Sequence, residues 1–365
     1  MKRGNKIIGL FIISGIMLFS GCNKDNVNPP SILPESFNVD IPSSISTNNS
    51  SLRVTNTDTI KGNDIYSNLR TFIAVGKGSA LLVQDVIIAI RANHIDKPMS
   101  LSFTSRDDSR VKNVVVVSNA DFDNSTWEFQ MTVTDAESES NPDGGKAIEV
   151  FWNRNPVKGI AVMKPYNMNR NNTWASDTVL VRVDYSEAGE SGYDKQMIVT
   201  LTDLPLALPA TNPYSMRALR MFVGKNGDNV DVYGNSSHPN AVFLSGQKGF
   251  DWAFVASVSA SADIGVAEVG LPPSNLNATS RTVLLGDYSI KNVFTNEIKA
   301  VFPNIGQAQL DAFLYNTAAP GYFNSGGFIQ GGTSPGSQYD SLTPRIEVLS
   351  PYNPVDILNL AVAFK

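Results

Sequence analysis

The sequence predicts an α+β, β-rich protein, in which a long helix near the start of the body packs on an antiparallel meander sheet, with further hairpins and short helices after it. Three observations predict this. Apolar residues recur every three or four positions from Asp64 to Asn93, the period changes to two between Met99 and Asp203, and after Leu204 short alternating runs are punctuated by Gly and Pro.

The helix comes first. Ile65, Leu69, Phe72, Gly76, Ala80, Val83, Ile87 and Ile90 fall on one helical face, and Asn63 or Asp64 can cap its start. Gly76 and Gly78 lie inside the run. A glycine costs about 1 kcal/mol relative to alanine in a helix interior, so a kink or break is expected there.

The meander follows. Trp127, Phe129, Met131 and Val133 alternate with Glu128, Gln130, Thr132 and Thr134, which gives a strand with one apolar face. Val111–Ser118 precedes it, and Lys146–Trp152 follows an Asn-Pro-Asp-Gly-Gly turn. Ile160–Lys164 comes next, after Asn153-Arg154-Asn155-Pro156. Val179, Val181, Val183 and Tyr185 pair across Gly189–Gly192 with Tyr193–Leu201. Connections this short join antiparallel neighbours.

In the second half, Ser215–Val223 reads as a short helix. Asp251–Val258 and Ile264–Val269 read as a hairpin, stopped by Gly270-Leu271-Pro272-Pro273 because proline has no N–H for a ladder. Gln307–Asn316 reads as a helix and Ala319–Thr343 as a long Gly/Ser-rich loop. Leu358, Leu360, Val362 and Phe364 read as a terminal strand. A boundary near Leu204–Pro213 either separates a helix-plus-sheet part, 63–203, from a β-rich C-terminal part, 204–365, or lies within one domain.

Ahead of the body, Lys2, Arg3 and Lys6 are followed by an uncharged apolar run, Ile7 to Phe19, and then by Ser20-Gly21-Cys22. A positive head, an apolar core and small residues before a cut describe a secretory signal peptide. The run is shorter than the roughly 20 apolar residues that a spanning helix needs. Ser20-Gly21-Cys22 resembles the lipobox of bacterial lipoproteins, with Phe19 where the usual Leu stands, and Asn23-Lys24-Asp25 resembles the acidic export signal of Bacteroidota lipoproteins. The resemblance implies that residues 1–21 are removed by cleavage after Gly21. It also implies that Cys22 is acylated and that a lipid anchor holds the chain in the cell envelope, at the outer membrane on its periplasmic or surface side. Cys22 is the single cysteine, which rules out an intramolecular disulfide. Each buried acyl CH₂ contributes about 0.8 kcal/mol, so several chains anchor firmly where one does not.

Residues 22–62 read as a tether rich in Asn, Ser, Thr and Pro. As a flexible coil of about 40 residues it would average roughly 35 Å end to end. Phe37, Val39 and Ile41 alternate within it, which suits a short strand docking on the body.

Composition and motifs then narrow the chemistry. The net charge is −5 with scattered basic residues, a poor match for phosphate polymers, so nucleic acid is not an expected partner. One cysteine and two histidines, His94 and His238, cannot supply a usual zinc set. Asp107-Asp108 and Asn226–Asn229 do not fit EF-hand spacing. Gly332-Thr333-Ser334-Pro335-Gly336 matches G-x-S-x-G, but a nucleophile elbow uses the N–H after the serine, and Pro335 has none. Gly76-x-Gly78 lacks the third glycine of a dinucleotide fingerprint, since Leu81 stands there. His238 has no nucleophile to pair with in the sequence, and Glu268, within an apolar strand, is expected on the wet face. Asp58-Thr59-Ile60, Asp177-Thr178-Val179 and Asp340-Ser341-Leu342 resemble the O-glycosylation tripeptide of Bacteroidota secreted proteins. No catalytic set, metal or cofactor is expected.

Three functional expectations remain. Residues 63–203 are similar in outline to the curved-sheet carriers that ferry lipids and lipoproteins across the envelope. That likeness implies a half-barrel around an apolar cavity lined by Trp127, Phe129, Met131, Val150, Trp152 and Met163, although the same residues equally seal a sheet against its helix. The second expectation is a surface module for glycans or a partner protein, using Trp174, which follows the polar run Asn169–Thr173, and Tyr322 and Phe323 beside glycines. The third is a fimbrial or structural subunit with Arg53 as a processing site.

Overall fold

The computed structural model describes residues 36–47, 59–92, 97–171, 176–208 and 212–365. A short 3₁₀ turn, Gly62–Asp64, leads into helix α1 (Ile65–Ala92). Strands β1 (Met99–Thr104), β2 (Val111–Phe122), β3 (Ser125–Asp135), β4 (Lys146–Arg154) and β5 (Val157–Met163) follow. After helix α2 (Pro165–Met168) come β6 (Leu180–Ser186), β7 (Lys195–Thr202), β8 (Ala218–Asn226), β9 (Asn229–Val242), β10 (Lys248–Ser259) and β11 (Ile264–Gly270). A π-helix (Thr282–Asp287), α3 (Ile290–Val301), α4 (Gln307–Phe313), β12 (Gly321–Asn324), β13 (Gly327–Gly331), α5 (Thr343–Glu347) and α6 (Pro354–Leu358) complete the chain. The strands form one antiparallel sheet whose thirteen members neighbour each other in sequence order, and the sheet is not closed.

The expected helical face is buried: Ile65, Leu69, Phe72, Ala80, Val83 and Ile87 are all at most 4% exposed. The break expected at Gly76 and Gly78 does not occur, and α1 is continuous. Gly76 is there for closeness. A Cβ on it would lie 2.5 Å from Met221 Cε and 3.1 Å from Leu219 Cδ2, so the missing methyl lets the helix settle on β8.

The chain divides into two compact units. Of the described residues, the first takes those up to Val39, those within Gly78–Val199 and Val362–Lys365; the second takes those within Asp40–Lys77 and Thr200–Ala361. In the first, the period-two pattern holds: Trp127, Phe129, Met131 and Val133 are buried, with Met131 opposite Val150 and Phe129 opposite Trp152. Phe37 is fully buried; its N–H donates to Gln84 Oε1 at 2.6 Å and its ring stacks on Tyr185 at 5.2 Å. Gly159 makes room for it, because a Cβ there would lie 2.4 Å from the Phe37 ring. The expected terminal strand does not form. Asn353-Pro354 starts α6, which takes Leu358, and Val362 and Phe364 cap a small cluster of Ala120, Trp127, Phe151, Ile160 and Val162.

One edge of this unit is polar and buried. The Asp135 carboxylate accepts Arg110 Nε at 2.8 Å and Arg170 Nε at 3.2 Å, with Lys112 Nζ at 3.7 Å; Lys112 also meets Asp108 at 2.9 Å. Burial on its own would raise the Asp135 pKa, but these cations and Ser138 outweigh it and hold the carboxyl below its ordinary range.

In the second unit, the start of α1 covers one sheet face: Tyr66 lies against Gly321, Phe72 against His238 and Trp252 (both 4.6 Å), and Gly76 against Met221. Residues 40–47, expected in the tether and with Ile41 as the end of a short strand, form no strand but are built into this unit. Ile41 and Ile45 are fully buried, Lys77 pairs with Asp40 at 2.8 Å, Arg70 Nη2 donates to the Ser43 carbonyl at 2.8 Å, and Ser44 N–H donates to Asp263 at 2.8 Å.

The opposite face carries a cluster of Ala253, Val255, Leu284, Leu285, Leu342 and Ile346 among others. Two expectations are overturned here. Ser215–Val223 is not a helix, because Ala218–Asn226 pairs along its length with β9 and is buried on both faces, which removes the alternation a half-exposed strand would show. Ala319–Thr343 is not one loop. It holds β12 and β13, joined at Ser325-Gly326, with β12 paired to β11.

Candidate functional site

Gly21, Cys22, Arg53, His94 and Trp174 lie outside the described residues. The expected apolar lining is brought together, but as core: Phe129 and Trp152 stack at 5.4 Å, Trp127 donates its indole N–H to the Phe122 carbonyl at 3.1 Å, and Met131 and Met163 are fully buried. Tyr322 and Phe323 are not surface aromatics; they are 4% and 0% exposed, since β12 pairs on both sides and Tyr322 turns its ring edge to Tyr339. Glu268 is half-buried and paired with Arg281. Burial raises its pKa, with Arg281 pulling the other way.

His238 does acquire a neighbouring hydroxyl, Ser236 Oγ at 2.8 Å from Nε2. Such a pair is the start of a nucleophile–base arrangement. Both residues are fully buried beneath Phe72 and Trp252, and burial drives the His238 pKa down to about 3, so the ring stays neutral and out of reach of substrate.

A half-open pocket of about 180 Å³ lies elsewhere in the second unit. Its floor is Phe243, Phe250, Leu271 and Glu297, all at most 8% exposed. Pro273, Tyr288 and Val293 form half-buried walls, and Gln247, Asp287 and Asn296 stand exposed at the rim.

Four separate segments converge to build it. The turn joining β9 and β10 is closed by Phe243 N–H to the Gln247 carbonyl (2.8 Å), and Phe250 follows where the β9–β10 register shifts. Proline ends β11, and Leu271 N–H donates to the Tyr288 carbonyl at 2.8 Å, which ties the floor to the wall. Asp287 and Tyr288 stand at the end of the π-helix, a rare element that concentrates at functional sites. Val293, Asn296 and Glu297 share one face of α3 through their spacing of three and four. Phe243 meets Phe250 at 4.5 Å and, edge-on, Phe294 at 5.3 Å, which fixes the aromatic floor. Ser245 Oγ donates to Glu297 Oε2 and orients that carboxylate.

Aromatic and aliphatic faces below, with carboxylate and carboxamide groups above, suit a small ligand with one apolar face and several polar substituents. Sequence reasoning missed every residue of this pocket. Its only local signal is the polar-apolar spacing in Val293, Asn296 and Glu297.

Fold and pocket together define a β-rich protein built on an open antiparallel sheet. No protein-family model matches the chain, and no curated protein or solved structure is significantly similar to it.

Proposed function

We propose that the chain is a non-catalytic, lipid-anchored lipoprotein of the cell envelope whose body is a surface binding module for a glycan or protein partner. The observation that carries this reading is the pocket of the second unit, which Phe243, Phe250 and Tyr288 line beside Gln247, Asn296, Asp287 and Glu297. Anchoring is supported by Ser20-Gly21-Cys22 after a positively charged head and an apolar run. A carrier of acyl chains, with the sheet curved as a half-barrel, is less well supported. Phe129, Met131, Trp152 and Met163 are buried and packed on their neighbours, as core side chains are.

The test is retention of the detergent-solubilised mature chain on envelope polysaccharide and on cross-linkable envelope proteins. Tyr288→Ala and Asn296→Ala are expected to weaken retention about tenfold together while leaving thermal stability near that of the parent. Retention equal to that of the parent in both variants would remove the pocket from the proposal. Cys22→Ser is expected to move the protein from the membrane fraction to the soluble one.

A further inference from the structure

The pocket has a sign. Its lining holds two carboxylates, Asp287 and Glu297, and neither lysine, arginine nor histidine. Glu297 is 8% exposed, and the donor it accepts from is the neutral Ser245 hydroxyl. Among the described residues no cationic side chain forms a salt bridge with Asp287 or Glu297. Two other buried acids are compensated, since Asp135 gathers Arg110, Arg170 and Lys112 and Asp231 takes Arg345 at 2.6 Å, whereas Asp251 accepts only from the Ser274 hydroxyl. A carboxylate drawn out of water without a counter-charge is costly, and a cation arriving at it recovers that cost.

The second feature is the ring system at the same place. Phe243 and Phe250 form the floor and Tyr288 a wall. Aromatic faces attract ammonium groups through their quadrupole, and rings combined with carboxylates are how quaternary and primary ammonium ions are held. A neutral sugar would use the rings and amides but would leave the Glu297 charge uncompensated.

We propose that this pocket binds a small amine: an ammonium group seated against Phe250, Tyr288 and Glu297, on a body about the size of one sugar ring. Gln247 and Asn296 at the rim are placed to take hydroxyl groups next to the charge. The inference rests on the binding-module reading and names the ligand class for the same site.

The experiment uses the detergent-solubilised mature chain and two matched probe pairs, followed by calorimetry and by chemical-shift changes. Choline is set against its neutral isostere 3,3-dimethylbutan-1-ol, and glucosamine against glucose. At least one charged probe is expected to bind about tenfold more tightly than its neutral partner, and Glu297→Gln is expected to abolish that preference without lowering the melting temperature. Asp287→Asn, at the exposed rim, is expected to reduce it in part. A preference for choline alone assigns a quaternary ammonium, and one for glucosamine alone an amino sugar. Neutral probes binding as tightly as charged ones, or charged binding that survives Glu297→Gln, would overturn the amine assignment. So would the absence of binding by either charged probe. In each of these cases Tyr288-dependent retention on envelope material would show that the module reading still holds, and its loss would show that both have failed.

Discussion

Gly270 and Leu284 meet backbone to backbone: a Cβ placed on Gly270 would lie 1.8 Å from the Leu284 carbonyl oxygen. This contact presses the π-helix onto the end of β11 and so positions Asp287 and Tyr288 over the Leu271 floor. Overpacking a well-filled site usually costs about 1–3 kcal/mol, and here the obstacle is backbone, which cannot swing aside. Gly270→Ala is therefore expected to destabilise the protein by about 3 kcal/mol and to weaken ligand binding at the pocket. Gly306→Ala serves as the control. Its nearest neighbour is Gln309 Oε1 at 3.5 Å, so its effect should stay within about 1 kcal/mol. Urea denaturation of both variants decides the matter, and equal effects would contradict the account.

The Asp251 carboxyl is fully buried; Oδ1 accepts from Ser274 Oγ at 2.7 Å, and Oδ2 has no partner among the described residues. Burial pushes its pKa up to about 7. Because the folded value exceeds the unfolded one near 3.9, its stabilising contribution is full below about pH 4 and is lost as pH rises through about 7. Asp251→Asn stays neutral at every pH. It is expected to match the parent near pH 4 and to exceed it by on the order of 4 kcal/mol near pH 8, read from melting curves across that range. A parent curve that is flat from about pH 4 to about pH 8 relative to the variant would refute the buried acid.

How far such features were legible in the sequence depends on burial. Helix α1 and strands β2, β3 and β6 show their periods because each keeps one wetter face, as Trp127, Phe129 and Met131 do against Glu128 and Gln130, whereas β4 and β5 are buried along most of their length and are marked by the turns before them. Strand β8 is covered on both sides, so Leu219, Met221 and Phe222 carry no alternation and resemble a helix turn, whereas Asp251–Val258 of β10 is read correctly as a strand. Strand β9 is further disguised by Gly234 and Pro239. The glycine lies where a Cβ would be 2.4 Å from the Arg220 carbonyl oxygen, and the proline falls where the register with β10 slips. The pocket is the hardest case. Phe243, Phe250, Tyr288 and Glu297 come from four segments that only the tertiary fold assembles, and no local spacing links them.

Asp135 gives the opposite pH signature to Asp251. Its folded pKa is depressed, so its contribution is present above the unfolded value near 3.9 and is lost as pH falls through the folded one. Asp135→Asn leaves Arg110, Arg170 and Lys112 gathered around a neutral group. Removing one partner from such a buried set costs about 3–5 kcal/mol, so a loss of this size is expected at neutral pH, and it should shrink as the pH drops toward about 2. Chemical denaturation at neutral and acid pH reads both effects. A loss that does not diminish in acid would mean that packing, and not charge, explains it.

Phe37 separates a tether from a built-in segment. A residue in a solvated tether can be truncated with little effect, within about 0.5 kcal/mol. The structure instead gives Phe37 a fully buried ring on Tyr185, a backbone bond to Gln84, and the space left open by Gly159. Phe37→Ala is expected to cost about 3–5 kcal/mol, as a large buried ring does. Gly159→Ala should also destabilise, and because its new methyl meets the same ring, part of that cost should vanish when Phe37→Ala is already present. The remainder belongs to the Phe151 carbonyl oxygen, 2.7 Å from where that methyl would lie, so the two costs should be less than additive by about 1 kcal/mol or more. Strict additivity in a double-mutant cycle would show that Phe37 does not occupy the space above Gly159, and the segment before α1 would then return to the tether.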